Sequence, residues 1–217
     1  MKLIIRLNES VEDIKSHLRD RGVDPLKTGV IVDEESNIAT FLIYNLSGQL
    51  IGYQYYNPNG EKNTAIARQH IKTLKTDSDL TSLKKYIKYY TRIVDSQKGI
   101  SVYGLETYER NSEFLFVTEG VFDCAKIHNA GFPAVATLTN AGSPELKTWF
   151  KILPQKIVAI YDNDDSGEVL KKLSDYSFPS PEGYKDLGDT PQEIATAYIQ
   201  KLAESLSGRK KTKKLKQ

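Results

Sequence analysis

From residue 113 onward the chain alternates short apolar runs with helix-length stretches, and this alternation constrains the fold more than any other feature. "FLFV" reads as a strand, "GVFDCAKIHNAG" as a helix ending at Gly131, and "PAVATL" as a second strand. "SPELKTWFKIL" predicts a helix with Ser143 at its N-cap and Pro144 at its first position, where a missing N–H costs nothing. "KIVAIY" is the third strand. "TPQEIATAYIQKLAESL" closes the series, with Thr190, Pro191 and Glu193 read as a capping box around an N1 proline. Strands separated by helices of this length imply βαβ units and a parallel sheet, hence an α/β fold.

In open parallel sheets, ligands bind beyond the carboxyl ends of the strands. Glu119 follows "FLFVT", and Asp162 and Asp164 follow "KIVAIY". Should those strands be neighbours, the three carboxylates converge on one edge of the sheet. Carboxylates held that close repel one another unless a cation neutralises them. Alternate residues of an extended segment point the same way, so Asp162 and Asp164 share a target. Hard oxygen donors at this density suit Mg2+ or Mn2+. Taken singly, each acid is an ordinary cap or turn residue, and Asp165 ahead of "SGEVLKKL" reads as one. Glu-Gly after one strand with Asp-x-Asp after a later one is much harder to explain by caps.

Other chemistry-bearing residues are sparse. One cysteine and three histidines (His17, His70, His128) exclude an intramolecular disulfide framework and argue against a structural zinc site. Cys124 and His128 lie four residues apart on the helix after Glu119; a catalytic pair is conceivable there, and buried packing is the stronger reading of the thiol. "TNAGS" (139–143), which holds Asn140, runs into a helix N-terminus and is either a phosphate-receiving loop or a plain connection.

The first 110 residues read differently. "SVEDIKSHLRDRG" predicts a helix with Ser10 as N-cap and Val11, Ile14 and Leu18 on one face. "NIATFLIYNLSGQLIGYQYYNPNG" predicts a β-hairpin turning at "NLSG". A basic stretch follows: Arg68, Lys72, Lys75, Lys84, Lys85, Lys88 and Arg92, interleaved with Tyr86, Tyr89 and Tyr90. Lysines in such a stretch can contact phosphates and tyrosines can stack on bases, although core packing is the readier account of the tyrosines. The predicted division is an α+β subdomain over 1–110, an α/β domain over 111–207 and a basic, disordered tail over 208–217. That tail holds six basic groups and no acid, leaving −4 on the rest of a chain whose net charge is +2. It is either a solvated end or a patch attracted to phosphate backbones. No apolar run approaches membrane-spanning length, and "MKLIIRLNES" lacks a signal peptide's apolar core, which together with the lone cysteine predicts a cytoplasmic protein without a membrane partner.

"FVTEGVFDCAKIHNAGFPAVATL" followed by "KIVAIYDNDDSG" resembles the TOPRIM domain shared by DnaG-type primases, topoisomerases and some nucleases. The signature of that domain, a Glu-Gly after the first strand and a later Asp-x-Asp, falls on Glu119, Gly120, Asp162 and Asp164. "YKDLGD" looks like the further acidic motif of the primase branch and adds Asp186, with Asp189 as the other candidate. "ATFLIYNLSGQLIGYQYYNPNG" and "KYYTRIVDSQKGISVYGLETYER" look like the hairpin and basic segment ahead of TOPRIM in bacterial and phage primases. They carry Lys88, Arg92 and Lys98 over as nucleic-acid or nucleotide contacts. The resemblance thus implies a TOPRIM parallel sheet flanked by helices and preceded by a smaller α+β subdomain. It implies a primase core that makes short RNA primers on single-stranded DNA from ribonucleoside triphosphates, with Asp162, Asp164 and Asp186 holding Mg2+ or Mn2+. Glu119 is either a further ligand or a general base. A nuclease or a non-catalytic nucleic-acid-binding accessory would share these residues. The sequence departs from the family in two respects. One cysteine cannot furnish the family's zinc-binding template reader, which implies a separate template-recognition protein or a replicative helicase as partner. The stretch after Asp164, "EVLKKLSDYSFPSPEGY", leaves room for a brief helix and little more.

Overall fold

The computed structural model describes residues 13–26, 28–61, 87–138, 143–162 and 168–208. The chain divides into two compact units: Met1–Arg19, Asp24–Phe41 and Tyr53–Arg92 form one, and Asp20–Val23, Leu42–Gly52 and Ile93–Gln217 the other. Residues 93–110 therefore group with the second unit.

The described part of the first unit opens on helix α1 (Ile14–Asp20). Asp13 caps it, its Oδ1 accepting from the N–H groups of Lys15 and Ser16 at 2.9 and 3.2 Å. Ser10 lies outside the described residues. Ile14 and Leu18, one turn apart, form the buried stripe. Strands β1 (Ile31–Asp33), β2 (Ile38–Asn45), β3 (Leu50–Tyr56) and β4 (Tyr89–Ile93) pair in that order, and β5 (Ser101–Val102) pairs antiparallel with the end of β2; β5 and the hairpin stretch Leu42–Gly52 group with the second unit. The hairpin expected over β2 and β3 forms, and Asn45 closes its turn by accepting from the N–H groups of Ser47 and Gln49. Tyr56 is fully buried with its ring 5.1 Å from that of Tyr89, while Tyr90 packs 6.3 Å from Tyr55. Packing thus accounts for Tyr89 and Tyr90; Tyr86 and the basic positions 68–85 lie outside the described residues.

The second unit is built on a parallel sheet of order β7-β6-β8-β9: β6 (Phe114–Thr118), β7 (Ala134–Ala136), β8 (Lys156–Tyr161) and β9 (Tyr176–Pro179). Helices α2 (Val121–Asn129), α3 (Pro144–Ile152) and α4 (Glu168–Leu173) supply the crossovers, and α5 (Gln192–Leu206) packs against α2. Every residue of β6 is buried, as a sheet covered on both faces requires. Leu115 and Val117 join Val135, Ile157 and Ala159 in a cluster that Leu146 and Phe150 of α3 and Leu170 of α4 complete. Full burial of side chains of that size is worth about 1.5–3 kcal/mol each. Ser143 caps α3 as expected, its Oγ accepting from the Leu146 N–H at 3.0 Å.

Two expectations need correction. The proline ahead of α5 stands at the N-cap itself, where its ring offers no acceptor, and the Thr190 hydroxyl expected to cap donates to the Asp186 carbonyl at 3.0 Å. After α4 the chain also holds a fourth parallel strand, β9, which pairs with β8 from Val158↔Tyr176 to Tyr161↔Pro179. The sequence "YSFP" alternates too briefly to advertise it. Among the described residues no helix is long and apolar enough to cross a membrane.

Lys156 locks the far end of α5. Its Nζ, almost fully buried, donates to the Leu206 carbonyl at 2.8 Å and to Glu113 Oε1 at 2.6 Å. Lys156→Met should leave the helix's last carbonyl without this donor and the Glu113 carboxylate with Ser207 and the Gly208 N–H as its remaining donors. We expect a loss of about 1–3 kcal/mol in urea unfolding.

Candidate active site

Strands β6 and β8 are parallel neighbours in the register Phe114↔Lys156 to Val117↔Ala159. Glu119 and Asp162 each begin the loop after their strand, so both stand at the same edge of the sheet. On the other side of β6, the Thr137 and Leu138 N–H groups donate to the Thr118 and Glu119 carbonyls, both at 3.0 Å, and carry β7 to the same edge. Next to β8, the Ser180 N–H and Oγ both donate to the Tyr161 carbonyl, and from there the chain runs to Asp186. The condition the acidic constellation needs, that "FLFVT" and "KIVAIY" share a sheet, is met. Asp164 and Asn140 lie outside the described residues.

A residue absent from the sequence reading sits at the centre of this edge. Asp123, buried on the first turn of α2, accepts from the Gly120 N–H through Oδ2 at 3.1 Å and from the Gly188 N–H through Oδ1 at 2.6 Å. It thereby caps α2 from the third helical position and ties the helix to the loop of Asp186. Burial, then the charges of Asp162 and Asp186, push its pKa up to about 7, against the Gly188 bond and Arg21, which pull it down. Asp162 and Asp186 therefore both lie within electrostatic reach of this carboxyl. The sequence does carry a signal: an acid three residues into a helix whose N-cap is glycine has the spacing of a capping box.

Asp186 is mostly buried, and its Oδ1 accepts from the Asp189 N–H at 2.8 Å, with Lys185 Nζ 3.6 Å from Oδ2. Of the two candidates in "YKDLGD", Asp189 is the one held at hydrogen-bond distance by a cation, Arg21 Nη2 at 2.8 Å. The two glycines here exist for close approach. A Cβ on Gly120 would stand 2.7 Å from Asp123 Oδ2, and one on Gly188 2.8 Å from the Phe122 Cβ and 3.2 Å from Asp123 Oδ1. Gly188→Ala should push α2 and the loop apart and destabilise the fold by about 1–3 kcal/mol, readable as a lower urea midpoint.

The described donors at this edge are carboxylate oxygens, the chemistry that a hard divalent cation takes. Among the described residues no group of three or more stands arranged to hold a metal ion. The remaining donor expected from the sequence is Asp164.

The basic positions fall in both units. Lys88 and Arg92 belong to the first, where Lys88 spends its backbone on Glu61 and Asn57 and Arg92 hydrogen-bonds the Tyr53 side chain. Lys98, in the second, pairs with Asp95 at 2.6 Å in a short 3-10 turn (Asp95–Ile100), and both side chains are exposed. An ion pair so exposed is weak and screened, and a phosphate can displace it. Cys124 and His128 do meet, Sγ to Nε2 at 3.2 Å, but the same nitrogen lies 3.0 Å from the Ala134 carbonyl and 3.0 Å from Thr107 Oγ1. A carbonyl can only accept, so Nε2 carries the proton in that bond and cannot take one from the thiol. Burial raises the thiol's pKa and lowers the imidazole's, so this is a packed pair and no nucleophile.

A parallel four-stranded sheet with acids at its carboxyl edge, preceded in the chain by an antiparallel hairpin, is an α/β architecture, and solved structures make the likeness more specific. No family model and no curated protein matches the chain. The fold is that of DnaG-type primase catalytic cores. It is similar to the zinc-binding and RNA polymerase domains of the Aquifex aeolicus primase (21% identity, TM-score 0.53, covering 77% of this chain and 40% of that one). It is likewise similar to the RNA polymerase domain of Mycobacterium tuberculosis primase DnaG crystallised with double-stranded DNA (18%, 0.52, 87% and 59%). A DnaG catalytic core matches at 18% and 0.50, over 88% and 63%. At these identities the likeness is one of fold, and the chain spans about 40–60% of the length of the structures it matches.

Proposed function

We propose that this chain is the catalytic core of a DnaG-type DNA primase, a nucleotidyltransferase that makes short RNA primers on single-stranded DNA. The observation that supports the reading is the position of Glu119 and Asp162 directly after adjacent parallel strands, at one carboxyl edge, with Asp162 and Asp186 both near enough to raise the buried Asp123 carboxyl. Primer extension requires a 3′-hydroxyl to attack the α-phosphate of a ribonucleoside triphosphate while pyrophosphate leaves. Asp162, Asp164 and Asp186 would hold Mg2+ or Mn2+. The bound metal would lower the nucleophile's pKa and neutralise charge on the phosphates.

The chain's own residues do the rest. Glu119 would complete the ligand set or accept the attacking hydroxyl's proton. Gly120, with no side chain, lets Asp123 close on the start of α2, and Asn140 of "TNAGS" would receive a phosphate. Lys88, Arg92 and Lys98 would contact the nucleic-acid backbone, each weakening binding roughly equally for all sequences when removed. We assign the protein to the cytoplasm of a bacterial or phage-infected cell, with a replicative helicase or a zinc-binding template reader as partner.

Incubation with single-stranded DNA, Mg2+ or Mn2+ and labelled ribonucleotides tests this directly. Short labelled RNA is the expected product. Shortened DNA would identify a nuclease instead, and binding without either product an accessory protein.

A further inference from the structure

We infer that Arg21, 98 residues before the first acid, is a positioning residue of this edge: it fixes the Asp186–Asp189 loop so that the Asp186 carboxylate faces the metal. The inference rests on the proposed role of Asp186 as a ligand.

Arg21 belongs to a four-residue segment, Asp20–Val23, that is part of the parallel-sheet unit. Side chains of α2 and α5 staple that segment down. The Gly22 carbonyl accepts from Asn129 Nδ2 at 2.7 Å, the same nitrogen donates to Gln192 Oε1 at 3.0 Å, and Gln192 Nε2 donates to the Lys126 carbonyl at 3.1 Å. With its backbone so held, the guanidinium lies 3.9 Å over the Phe122 ring and reaches Asp189 Oδ1 at 2.8 Å. Stacking fixes the plane of the group and the ion pair fixes its direction, a combination that only a planar cation supplies.

The hold is passed along the loop by bonds already described. Asp189 gives its N–H to Asp186 Oδ1, and Gly188 gives its N–H to Asp123 Oδ1. One oxygen of Asp186 is thereby committed, which leaves Oδ2, 3.6 Å from the exposed Lys185 Nζ, as the oxygen a metal would take in place of that loose ion pair. Groups that orient a ligand in this way are typically worth about ten- to a hundredfold in metal affinity.

Mn2+ binding, followed by electron paramagnetic resonance on the protein without nucleic acid, is the test. Arg21→Gln removes the charge and Asp189→Asn removes it from the exposed side of the same pair, so one serves should the other fail to fold. Both should weaken Mn2+ about ten- to a hundredfold. Both should also raise the Mg2+ concentration needed for half-maximal primer synthesis, with the rate at saturating Mg2+ largely restored. Arg21→Lys, which keeps the charge and loses the stacked plane, should recover only part of the affinity. A purely structural role predicts a lower melting temperature with Mn2+ affinity at the parental value. Arg21→Gln and Asp189→Asn within twofold of the parent, while Asp186→Asn is weakened, would overturn the inference alone. Asp186→Asn binding as tightly as the parent would overturn the metal reading of Asp186 and this inference with it.

Discussion

Replacing Asp162 and Asp164 together by asparagine is expected to abolish the response of the protein to magnesium and to reduce primer synthesis by more than about a hundredfold, the upper range for residues that merely support a ligand. Like charges at the carboxyl edge oppose one another until a cation offsets them, so the metal-free protein is the less stable form. Mg2+ at a hundred times its dissociation constant should add about 2.7 kcal/mol, a shift of several degrees in a chain of this size. In the double variant the melt with Mg2+ should overlay the melt in EDTA, and the metal-free variant should be at least as stable as the metal-free parent. If the two aspartates are only caps of the helix at Glu168–Leu173, the outcome differs. Asparagine caps nearly as well as aspartate, so stability would hardly move, and these residues would give neither protein any dependence on magnesium. A magnesium response present in the parent and lost in the double variant belongs to a metal site at these aspartates; equal responses in the two put the metal elsewhere.

What the sequence revealed follows the range of each interaction. The parallel sheet was legible because strand and helix periods are local: "FLFVT" and "KIVAIY" are continuous apolar runs, as doubly covered strands must be, and they form β6 and β8. The α3 start was legible for the same reason, with Ser143 and Pro144 adjacent. Strand β9 was missed because four residues, partly exposed, carry too little pattern, and its partner β8 supplies the pairing. The α5 cap was misread because Thr190 had a competing acceptor, the Asp186 carbonyl, that no local rule shows.

The site divides in the same way. Glu119 and Asp162 were legible from their positions after strands, whereas Asp123 was hidden in a helix where an acid at the third position is unremarkable. Its importance comes from Gly188, 65 residues away. Arg21 has still less local signal, since its partner Asp189 lies 168 residues along the chain. Acids that follow strand ends are visible in the sequence; the groups packed against them are not, because those are chosen by packing.

Asp123 provides the other large effect, a dependence of stability on pH in the absence of metal. Its carboxyl titrates near 3.9 in an unfolded chain and at about 7 in the folded one. Between those values the native state keeps a proton that the unfolded state has lost. The stabilisation from this group is therefore complete below pH ~4, falls as pH rises towards 7, and is absent above it. A carboxyl raised by about three pH units on folding contributes ~4 kcal/mol in full, and roughly 2–3 kcal/mol of that should remain at pH 5. Urea unfolding in EDTA should thus show the parent gaining that amount between pH 8 and pH 5 relative to Asp123→Asn. The variant cannot titrate at this position and keeps only the opposite slope of groups such as His128, whose buried imidazole is held below its usual range; equal slopes in parent and variant would assign the effect to other groups. Burial and the charges of Asp162 and Asp186 cause the rise, and only the latter respond to a cation. Saturating Mg2+ should therefore move the window to lower pH without removing it, because the desolvation of a fully buried carboxyl persists when its neighbours are neutralised.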